Sequence, residues 1–432
     1  MKKIISVFMI FIFGAFLLAG CTSNSAPDDE LPVSEEADLE IWMCYDRNVP
    51  GSYYVFLWDD LAEEYGYTVN VKTYSQSELE DKLRLAMMSN ELPDIFMVPG
   101  GAYPEYLFES GACLPVQSYL REVDFLEEYT LPYSDGNNYL IPCLPKSYGV
   151  TYYDESLMEQ IGLSEPETWE DLLDLIDAVK AYNAENGTDY AAIELGIKDS
   201  WMGELLFCMI AERLDPELYS ELSEEREEEV HELLLQSAEC IRELRDRNAF
   251  PSDYMEIGEQ ESVRDFINHD AVLMVHQSSM VYHLIQNMGV DGFVLSDFPC
   301  CNNDYLDSYS KYVIDLDDTF TPGLAISARS AYCEQAADLC MAFATRVNEI
   351  NVEEYDYLNI MKNAYELPDN SYTNVTAIHT LTEQAVQTEA FLYDLFPQDS
   401  ESGWDALIKR FFAEEITSVE FADESMELLF GS

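Results

Sequence analysis

The sequence is poor in basic residues. It has 22 Lys and Arg against 84 Asp and Glu in 432 residues, which gives a formal net charge of −62. Binding to a nucleic-acid backbone or to an anionic membrane surface needs clustered positive charge, so neither partner is expected. The chain is nonetheless 48% hydrophobic and 13% aromatic, which excludes a wholly disordered acidic protein. At roughly 150 residues per domain, this length allows about two to three domains.

Catalytic and metal-binding motifs are lacking as well. None of G-x-S-x-G, H-E-x-x-H, G-x-x-x-x-G-K-[ST] or paired C-x-x-C occurs in the sequence. His269, His276 and His283 recur every seven residues, but the apolar run between the first two predicts a strand, so the three do not share a helix face. Surface or hydrogen-bonded histidines are therefore favoured over a metal site. We expect no metal, no cofactor and no catalytic residues.

The N-terminus has the pattern of a secretory signal. Two lysines precede an apolar run that ends in Leu18-Ala19-Gly20-Cys21, and this ending resembles a bacterial lipobox, in which the cysteine is acylated and the chain is cleaved ahead of it. The run is short for a bilayer span, which disfavours a plain transmembrane anchor. We therefore expect a signal peptide at 1–20, a lipid anchor on Cys21 and a flexible acidic linker at 21–37.

Nine cysteines remain after Cys21, an odd number, so at least one is free. Cys333 and Cys340 lie two turns apart on one predicted helix, which is too far for a disulfide bond. The vicinal Cys300 and Cys301 could form a strained disulfide, but buried small hydrophobic residues are the favoured interpretation for most of these thiols.

The first part of the chain alternates strands and helices. Strands are predicted at 39–44, 67–74 and 95–98, and helices at 53–65 and 77–89, the second helix with Ser77 as its cap. This order predicts a parallel, doubly wound sheet with ligands near the carboxyl ends of the strands. Those ends carry Tyr45, Asp46, Arg47, Tyr74, Gly101 and Tyr103.

The second part of the chain continues the α/β pattern. The predicted elements are an extended segment at 148–153, helices at 169–181 (capped by Thr168), 221–247 and 331–347, an amphipathic segment at 261–268, strands at 271–276 and 291–298, and two helices within 404–431 that divide near Thr417. The acidic run at 224–229 is predicted to be a solvated helix face.

The order of several loose motifs resembles a known family. The motifs are the lipobox, an IW strand followed by Asp46-Arg47, PDI at 93–95, Tyr152-Tyr153-Asp154, Gly162-Leu163, Pro166-Glu167-Thr168-Trp169-Glu170, Phe266 with Ala271-Val272-Leu273, and Pro322-Gly323-Leu324-Ala325-Ile326 before a helix. Together they resemble the extracellular solute-binding proteins of family 1, the lipid-anchored receptors of ABC importers that include maltose-binding protein.

The resemblance implies an α/β, two-lobe, periplasmic-binding-protein-like fold of type II, with hinge-linked lobes and a central ligand cleft. The N-terminal lobe would comprise 38–145 with a return segment at 318–367. The C-terminal lobe would comprise 146–317 with 368–432.

The resemblance also implies where a solute would bind. Asp46 and Arg47 stand where the family places a carboxylate and a cation that bind sugar hydroxyl groups. The alternative is a structural salt bridge between these two residues within a loop. Ser279 stands near a position where the family has a stacking Trp, so the stacking platform is lost or moved. The predicted ligand-binding residues are Tyr45, Asp46, Arg47, Tyr74, Gly101, Tyr103, Tyr148, Trp201, Gln277, Ser278, Tyr282 and Trp404. Core positions are the alternative for Trp201 and Trp404.

The favoured function is that of a monomeric, extracytoplasmic, lipid-anchored binding protein that captures a small solute, foremost a mono- or oligosaccharide, for an ABC permease. Its acidity raises a second possibility, a cationic solute such as a polyamine or a basic peptide. The rivals from other classes are a surface-anchored carbohydrate-active enzyme with Asp46 or Asp94 as a catalytic carboxylate, and an adhesive lipoprotein.

Overall fold

The computed structural model describes residues 37–44, 53–74, 76–98, 105–121, 123–316, 322–353, 358–362, 373–385, 387–395 and 401–431. The predicted signal peptide, Cys21 and the linker lie outside these ranges, and so do Tyr45, Asp46, Arg47, Gly101 and Tyr103. Within the described ranges, no helix has both the length and the hydropathy to cross a bilayer.

The described chain alternates strands and helices. The strands are β1 Asp38–Met43, β2 Thr68–Thr73, β3 Ile95–Val98, β4 Ile141–Pro142, β5 Gly149–Asp154, β6 Ala191–Glu194, β7 Ala271–Gln277, β8 Phe293–Ser296, β9 Tyr312–Asp315, β10 Gly323–Ile326 and β11 Gln387–Ala390. The helices are α1 Tyr53–Tyr65, α2 Gln76–Ser89, α3 Glu105–Glu109, α4 Gln117–Leu120, α5 Glu155–Ile161, α6 Trp169–Asn186, α7 Ser200–Leu214, α8 Pro216–Tyr219, α9 Glu227–Asp246, α10 Glu259–Ile267, α11 Val281–Met288, α12 Cys333–Glu353, α13 Thr373–Gln384, α14 Leu392–Leu395, α15 Glu401–Phe412 and α16 Ser418–Phe430.

The first sheet has the order β2-β1-β3-β10-β4 in the described part of the chain. β1 pairs in parallel with β2 and β3, which confirms the predicted strand-helix alternation. β10 returns from far downstream and pairs antiparallel with β3 and β4. One local prediction is wrong: α2 begins at Gln76, so Ser77 lies inside its first turn and is not the cap.

Apolar residues on this sheet form one core. Leu39, Ile41 and Met43 alternate along β1 and are buried, as expected for a strand with one face toward the core. Against the sheet, Trp58 of α1 stacks on Phe343 of α12 with ring centroids 4.1 Å apart. We call this sheet and the helices packed on it lobe 1.

The second sheet has the order β6-β7-β5-β8, and we call it, with its helices, lobe 2. β5 pairs antiparallel with both β7 and β8, while β6 is parallel to β7. All six residues of β5 are buried because helices cover both faces of the sheet. Tyr153 faces a core built with α7, α9, α15 and α16, whereas Val150 and Tyr152 face a smaller core built with α10, α11 and α13.

Local capping signals position the helices of lobe 2 as predicted. Thr168 forms a capping box with Asp171 at the start of α6, and Thr417 forms one with Glu420 at the start of α16. The acidic helix α9 begins at Glu227, later than the predicted 221, after a 3-10 turn. All nine cysteines in the described ranges are free, so the vicinal pair is not a disulfide.

Two chain crossings between the sheets are tied to each other. The segment between β4 and β5 forms a bridge with the end of β9, in which Tyr148 pairs with Asp315. The Leu316 amide donates to the Ser147 carbonyl at 3.0 Å. The Lys146 ammonium lies 2.6 Å from the carboxylate of Asp315, which has no exposed side-chain surface. These contacts fix the junction between the two lobes.

Glu194 is a carboxyl buried at the end of β6. Its residue surface is 2% exposed, and its Oε1 accepts a hydrogen bond from the Ser262 hydroxyl at 3.0 Å. Burial raises the pKa of Glu194 to about 8, with Asp265 and other nearby carboxylates adding to the rise and the Ser262 hydrogen bond opposing it.

We predict that this carboxyl makes folding stability depend on pH. Because the pKa is higher in the folded than in the unfolded protein, the stabilisation is complete below about pH 4.5 and is lost as the pH rises through about 8. The loss amounts to a few kcal/mol at most. Glu194→Gln should therefore raise the melting temperature at pH 8 relative to the unaltered protein but not at pH 5, as measured by thermal unfolding.

The matched control is Glu185→Gln at an exposed position of α6, which should leave both melting temperatures unchanged. An equal effect of Glu194→Gln at both pH values would contradict the prediction.

Candidate functional site

The carboxyl ends of the strands of lobe 1 come close to lobe 2. Cys44 follows β1, and its thiol contacts the Met97 sulfur at 3.3 Å. The pKa of Cys44 is raised to about 12, mainly by burial, and the carboxylates of Glu80 in lobe 1 and Glu259 in lobe 2 contribute to that rise. Glu259 of lobe 2 thus faces the end of β1 at a range where their charges interact. We call the space between the two lobes at this point the cleft.

On the lobe 1 side, Tyr74 follows the last residue of β2. Its ring lies 5.6 Å from that of Trp42, edge to face, and the Lys82 ammonium lies 4.8 Å from the Tyr74 ring centroid. Tyr74 is half-buried, so part of its ring surface remains accessible at the carboxyl edge of the sheet. Its place among the ligand-binding residues stays a prediction.

On the lobe 2 side, four side chains meet: Asp199, Trp201, Glu259 and His276. We call them the Glu259 cluster. Asp199 and Trp201 come from the start of α7, Glu259 is the first residue of α10, and His276 lies near the end of β7. The Trp201 side chain donates a hydrogen bond to Glu259, and its ring lies 5.0 Å from the His276 ring, edge to face at 86°.

Two loops hold the Glu259 cluster in place. The Ile197 amide donates to the Tyr254 carbonyl at 2.7 Å, and the Glu259 amide donates to Oδ2 of Asp199 at 2.8 Å. The close approach of these two loops requires glycine at two positions. A Cβ on Gly196 would lie 2.9 Å from the Ile257 carbonyl oxygen, and one on Gly258 would collide with Oδ2 of Asp199.

Glu259 is surrounded by protein atoms, yet 36% of its side-chain surface remains accessible, as in a recess. Burial raises the pKa of Glu259 to about 7, Asp199 adds to the rise, and the Trp201 hydrogen bond opposes it. A carboxyl of this kind exchanges its proton near neutral pH.

His276 has no exposed surface, and burial lowers the pKa of its ring to about 3, with His283 of α11 contributing. The imidazole is therefore neutral. In the part of the chain that the structure describes, neither ring nitrogen has a hydrogen-bond partner, and Nε2 lies 3.5 Å from Oε1 of Glu259 without hydrogen-bond geometry. Buried polar groups are nearly always hydrogen-bonded. The nitrogens of this ring can therefore still form hydrogen bonds, and they lie beside an accessible carboxyl. The sequence interpretation of a surface or hydrogen-bonded histidine is wrong for this residue.

Ser278 supports the junction between the lobes. It is buried; its hydroxyl accepts from the Tyr148 amide at 3.0 Å, and its amide donates to the Tyr148 carbonyl at 2.7 Å. The Tyr152 hydroxyl donates to the carbonyls of Gln277 and Ser278 at 3.0 and 3.1 Å. These contacts bring Tyr148, Gln277 and Ser278 together, but they occupy Ser278 within the protein. Tyr282 lies on α11 against the smaller core, and its hydroxyl oxygen is enclosed.

Trp404 lies in the core of lobe 2, not in the cleft. It has no exposed surface, and its ring centroid lies 6.0 Å from that of Phe207 and 5.6 Å from that of Phe421. The prediction that Trp404 binds ligand is corrected accordingly, because a ring enclosed by other aromatic rings has no face left for a solute.

Glu259 and Asp199 were not identified from the sequence. They are 60 positions apart, and each is one of 84 acidic residues. The sequence feature that could have pointed to Glu259 is Gly258, which directly precedes it just ahead of the predicted amphipathic segment. Among the described residues, no group of three or more His, Cys, Asp or Glu side chains is arranged to hold a metal ion.

One comparison, with models of protein families, gives a match. A sequence model described as bacterial extracellular solute-binding protein matches residues 57–378, roughly three quarters of the chain. Comparison with curated protein sequences gives no match.

Solved structures of similar fold cover nearly the whole chain. One comes from work on xylan utilization by the thermophilic bacterium Caldanaerobius polysaccharolyticus, with 19% identity, a TM-score of 0.74 and coverage of 90% of this chain and 99% of that one. Another is a chitin oligosaccharide binding protein, with 16% identity, a TM-score of 0.75 and coverage of 92% and 98%. A third is a bacterial solute receptor with exclusive preference for β-D-galactopyranose, with 15% identity, a TM-score of 0.71 and coverage of 91% and 98%. At these identities the likeness establishes the fold, a two-lobe α/β architecture.

We predict that Gly258→Ala disrupts the Glu259 cluster. The added Cβ would overlap with Oδ2 of Asp199, so the Asp199 side chain must turn away and its hydrogen bond from the Glu259 amide breaks. Loss of a hydrogen bond to a charged group costs about 1.5–3 kcal/mol of folding free energy. Urea unfolding should detect this loss.

Gly403→Ala is the matched control. Its added Cβ would meet only the end of the flexible Leu428 side chain, at 3.0 Å, and alanine favours the helix in which it lies. It should be neutral or stabilising, and an equal loss for both variants would refute the steric argument.

Proposed function

Because the chain belongs to the bacterial extracellular solute-binding proteins, we propose that it captures a small solute in the cleft between its lobes and delivers it to an ABC permease. The family is extracytoplasmic, so the protein acts outside the cytoplasm. The observation that carries the proposal is the two-lobe architecture, in which chain crossings tied together at Lys146, Tyr148 and Asp315 join the lobes. We assign 38–145 with 318–367 to the N-terminal lobe, and 146–317 with 368–432 to the C-terminal lobe.

The solute in this proposal is a mono- or oligosaccharide. Its hydroxyl groups suit carboxylates such as Glu259, and its C–H faces suit aromatic rings such as Tyr74 and Trp201. The similar structures named for xylan utilization, chitin oligosaccharides and galactopyranose support this choice of solute class. Asp46, Arg47 and the loop residues Tyr45, Gly101 and Tyr103 remain proposed contacts that complete the lobe 1 side.

Capture would work by closure of the lobes. A solute that contacts both lobes binds the closed form more tightly than the open form, so it shifts the population toward closure. The tied crossings at Lys146 and Asp315 limit the motion to a hinge, since the buried carboxylate must keep its partner.

The structure offers one arrangement that resembles a hydrolase, and its geometry argues against catalysis there. Ser156, His269 and Asp154 are neighbours, but the Ser156 hydroxyl and an Asp154 oxygen both approach Nδ1 of His269, at 3.3 and 2.5 Å. A catalytic triad uses the two ring nitrogens separately. The other Asp154 oxygen accepts from the Leu157 amide, so the trio caps α5. We propose a receptor without enzymatic activity, acting as a monomer.

We predict that a saccharide raises the melting temperature of the purified protein in a screen of sugars, oligosaccharides, polyamines and peptides. At about 100 times its Kd, a ligand stabilises by about 2.7 kcal/mol. Trp201→Ala should weaken the shift produced by that saccharide, because the ring borders the cleft beside Glu259.

Trp404→Phe serves as the control, since it alters a buried ring without reaching the cleft. It should lower the starting melting temperature and leave the shift caused by saccharide unchanged. A protein that hydrolyses glycosides, or that responds to no member of the panel, would overturn the proposed function.

We also propose that the protein is anchored through an acylated Cys21. Cys21→Ala should move it from the membrane fraction to the soluble fraction and abolish incorporation of labelled palmitate in a bacterial host. Cys44→Ala is the control and should change neither readout, because Cys44 lies in the folded part of the chain. Retention of Cys21→Ala in the membrane would contradict the anchor.

A further inference from the structure

The Glu259 cluster is acidic and contains no partner of opposite charge. Within the described chain, Glu259 makes no ion pair with Lys or Arg, and the charged group that acts most strongly on it is the Asp199 carboxylate. The next carboxylate across the cleft is Glu80, which acts with Glu259 on Cys44. A recessed carboxyl beside another carboxyl lacks the countercharge that normally accompanies such a group.

His276 independently indicates a missing hydrogen-bond donor or acceptor at the same place. Its ring is fully buried, and among the described residues neither nitrogen has a hydrogen-bond partner. Nε2 is enclosed and lies 3.5 Å from Oε1 of Glu259, so a solute group reaches it where the Glu259 side chain turns aside. A neutral imidazole has one nitrogen that accepts a hydrogen bond. In the tautomer with its proton on Nδ1, His276 therefore presents an acceptor beside the Glu259 carboxylate.

We propose that the Glu259 cluster binds the protonated amino group of the solute, so that the protein selects an amino sugar over its neutral counterpart. This inference rests on the proposed solute-binding function. An ammonium has three donors and a positive charge, so it can satisfy Glu259 and His276 at once, while Trp201 lies within the same cluster. A hydroxyl group has one donor and no charge. It can therefore donate to only one of Glu259 and His276, and it does not neutralise the Glu259 carboxylate.

The groups around Glu259 come from five elements and support a coupling to protons. They are Asp199 and Trp201 at the start of α7, His276 on β7 with His283 of α11 behind it, and Cys44 after β1 with Glu80 of α2 behind it. The carboxylates raise the pKa of Glu259, and the neutral imidazole adds no charge. An arriving ammonium would replace the proton on Glu259, so binding should release a proton and strengthen as the pH rises from 5 to 7.

Calorimetric titration of the purified protein tests the inference with matched sugars. The probes are glucosamine and short chitosan oligosaccharides, their hydroxyl counterparts glucose and cello-oligosaccharides, and their N-acetylated counterparts. We expect the amine to bind at least about tenfold more tightly than either neutral form at pH 7, and to lose about tenfold or more of its affinity at pH 5. The neutral sugars should show no such pH dependence.

Glu259→Gln should reduce the affinity for the amine about tenfold and abolish its pH dependence, and it should change the affinity for neutral sugars much less. Glu256→Gln, at an exposed position just before α10, is the matched control and should bind like the unaltered protein. Thermal unfolding of each variant establishes that the fold is retained. The isosteric change removes a desolvated carboxyl, so no loss of stability is expected.

The outcomes separate this inference from the proposed function. Neutral sugars that bind as well as amino sugars, or amine binding that survives Glu259→Gln, would overturn amine recognition and leave the receptor function intact. Binding of spermidine with the same dependence on Glu259, and of no saccharide, would support amine recognition and overturn the saccharide proposal. A protein that binds no probe would overturn both.

Discussion

The ion pair between Lys146 and Asp315 constrains how the two lobes meet. Asp315 has no exposed side-chain surface, so separating this buried carboxylate from the Lys146 ammonium would cost about 3–5 kcal/mol. Both residues lie on chain crossings that also share backbone hydrogen bonds. The junction therefore acts as a fixed axis between the edge where β1, β2 and β3 of lobe 1 end and the edge where β6 and β7 of lobe 2 end.

Desolvation gives two carboxyls of lobe 2 different roles. Glu194 and Glu259 both have a raised pKa because protein surrounds them, and neither pairs with a cation among the described residues. Glu194 is 2% exposed and bonded to Ser262, so its protonation can affect only folding. Glu259 keeps 36% of its side-chain surface accessible, so an external group can compete with its proton. Accessibility, rather than pKa, separates a structural carboxyl from a binding carboxyl here.

Local signals predicted the fold better than the site. The capping residues Thr168 and Thr417 act within one turn, so the sequence reveals them directly. Trp201 and Trp404 both lie on helices rich in apolar residues, and only tertiary packing places the first beside the cleft and the second in the core. Glu259 and His276 meet because α10 leads into β7, which runs parallel to β6. Sequence spacing does not encode that distance, so the pair could not be found before the fold was known.

The large negative charge of the chain does not by itself determine its solute. Carboxylates on solvated faces such as the start of α9 interact through water, where salt screens them within about 10 Å. Their contribution to a solute held in the cleft is therefore small and unselective. A carboxylate in a recess acts through a lower effective dielectric, where an added positive charge at contact distance is far more strongly attracted. The preference for a cationic group depends on one recessed carboxyl and its unsatisfied imidazole neighbour, and it would persist if the outer helices carried no charge.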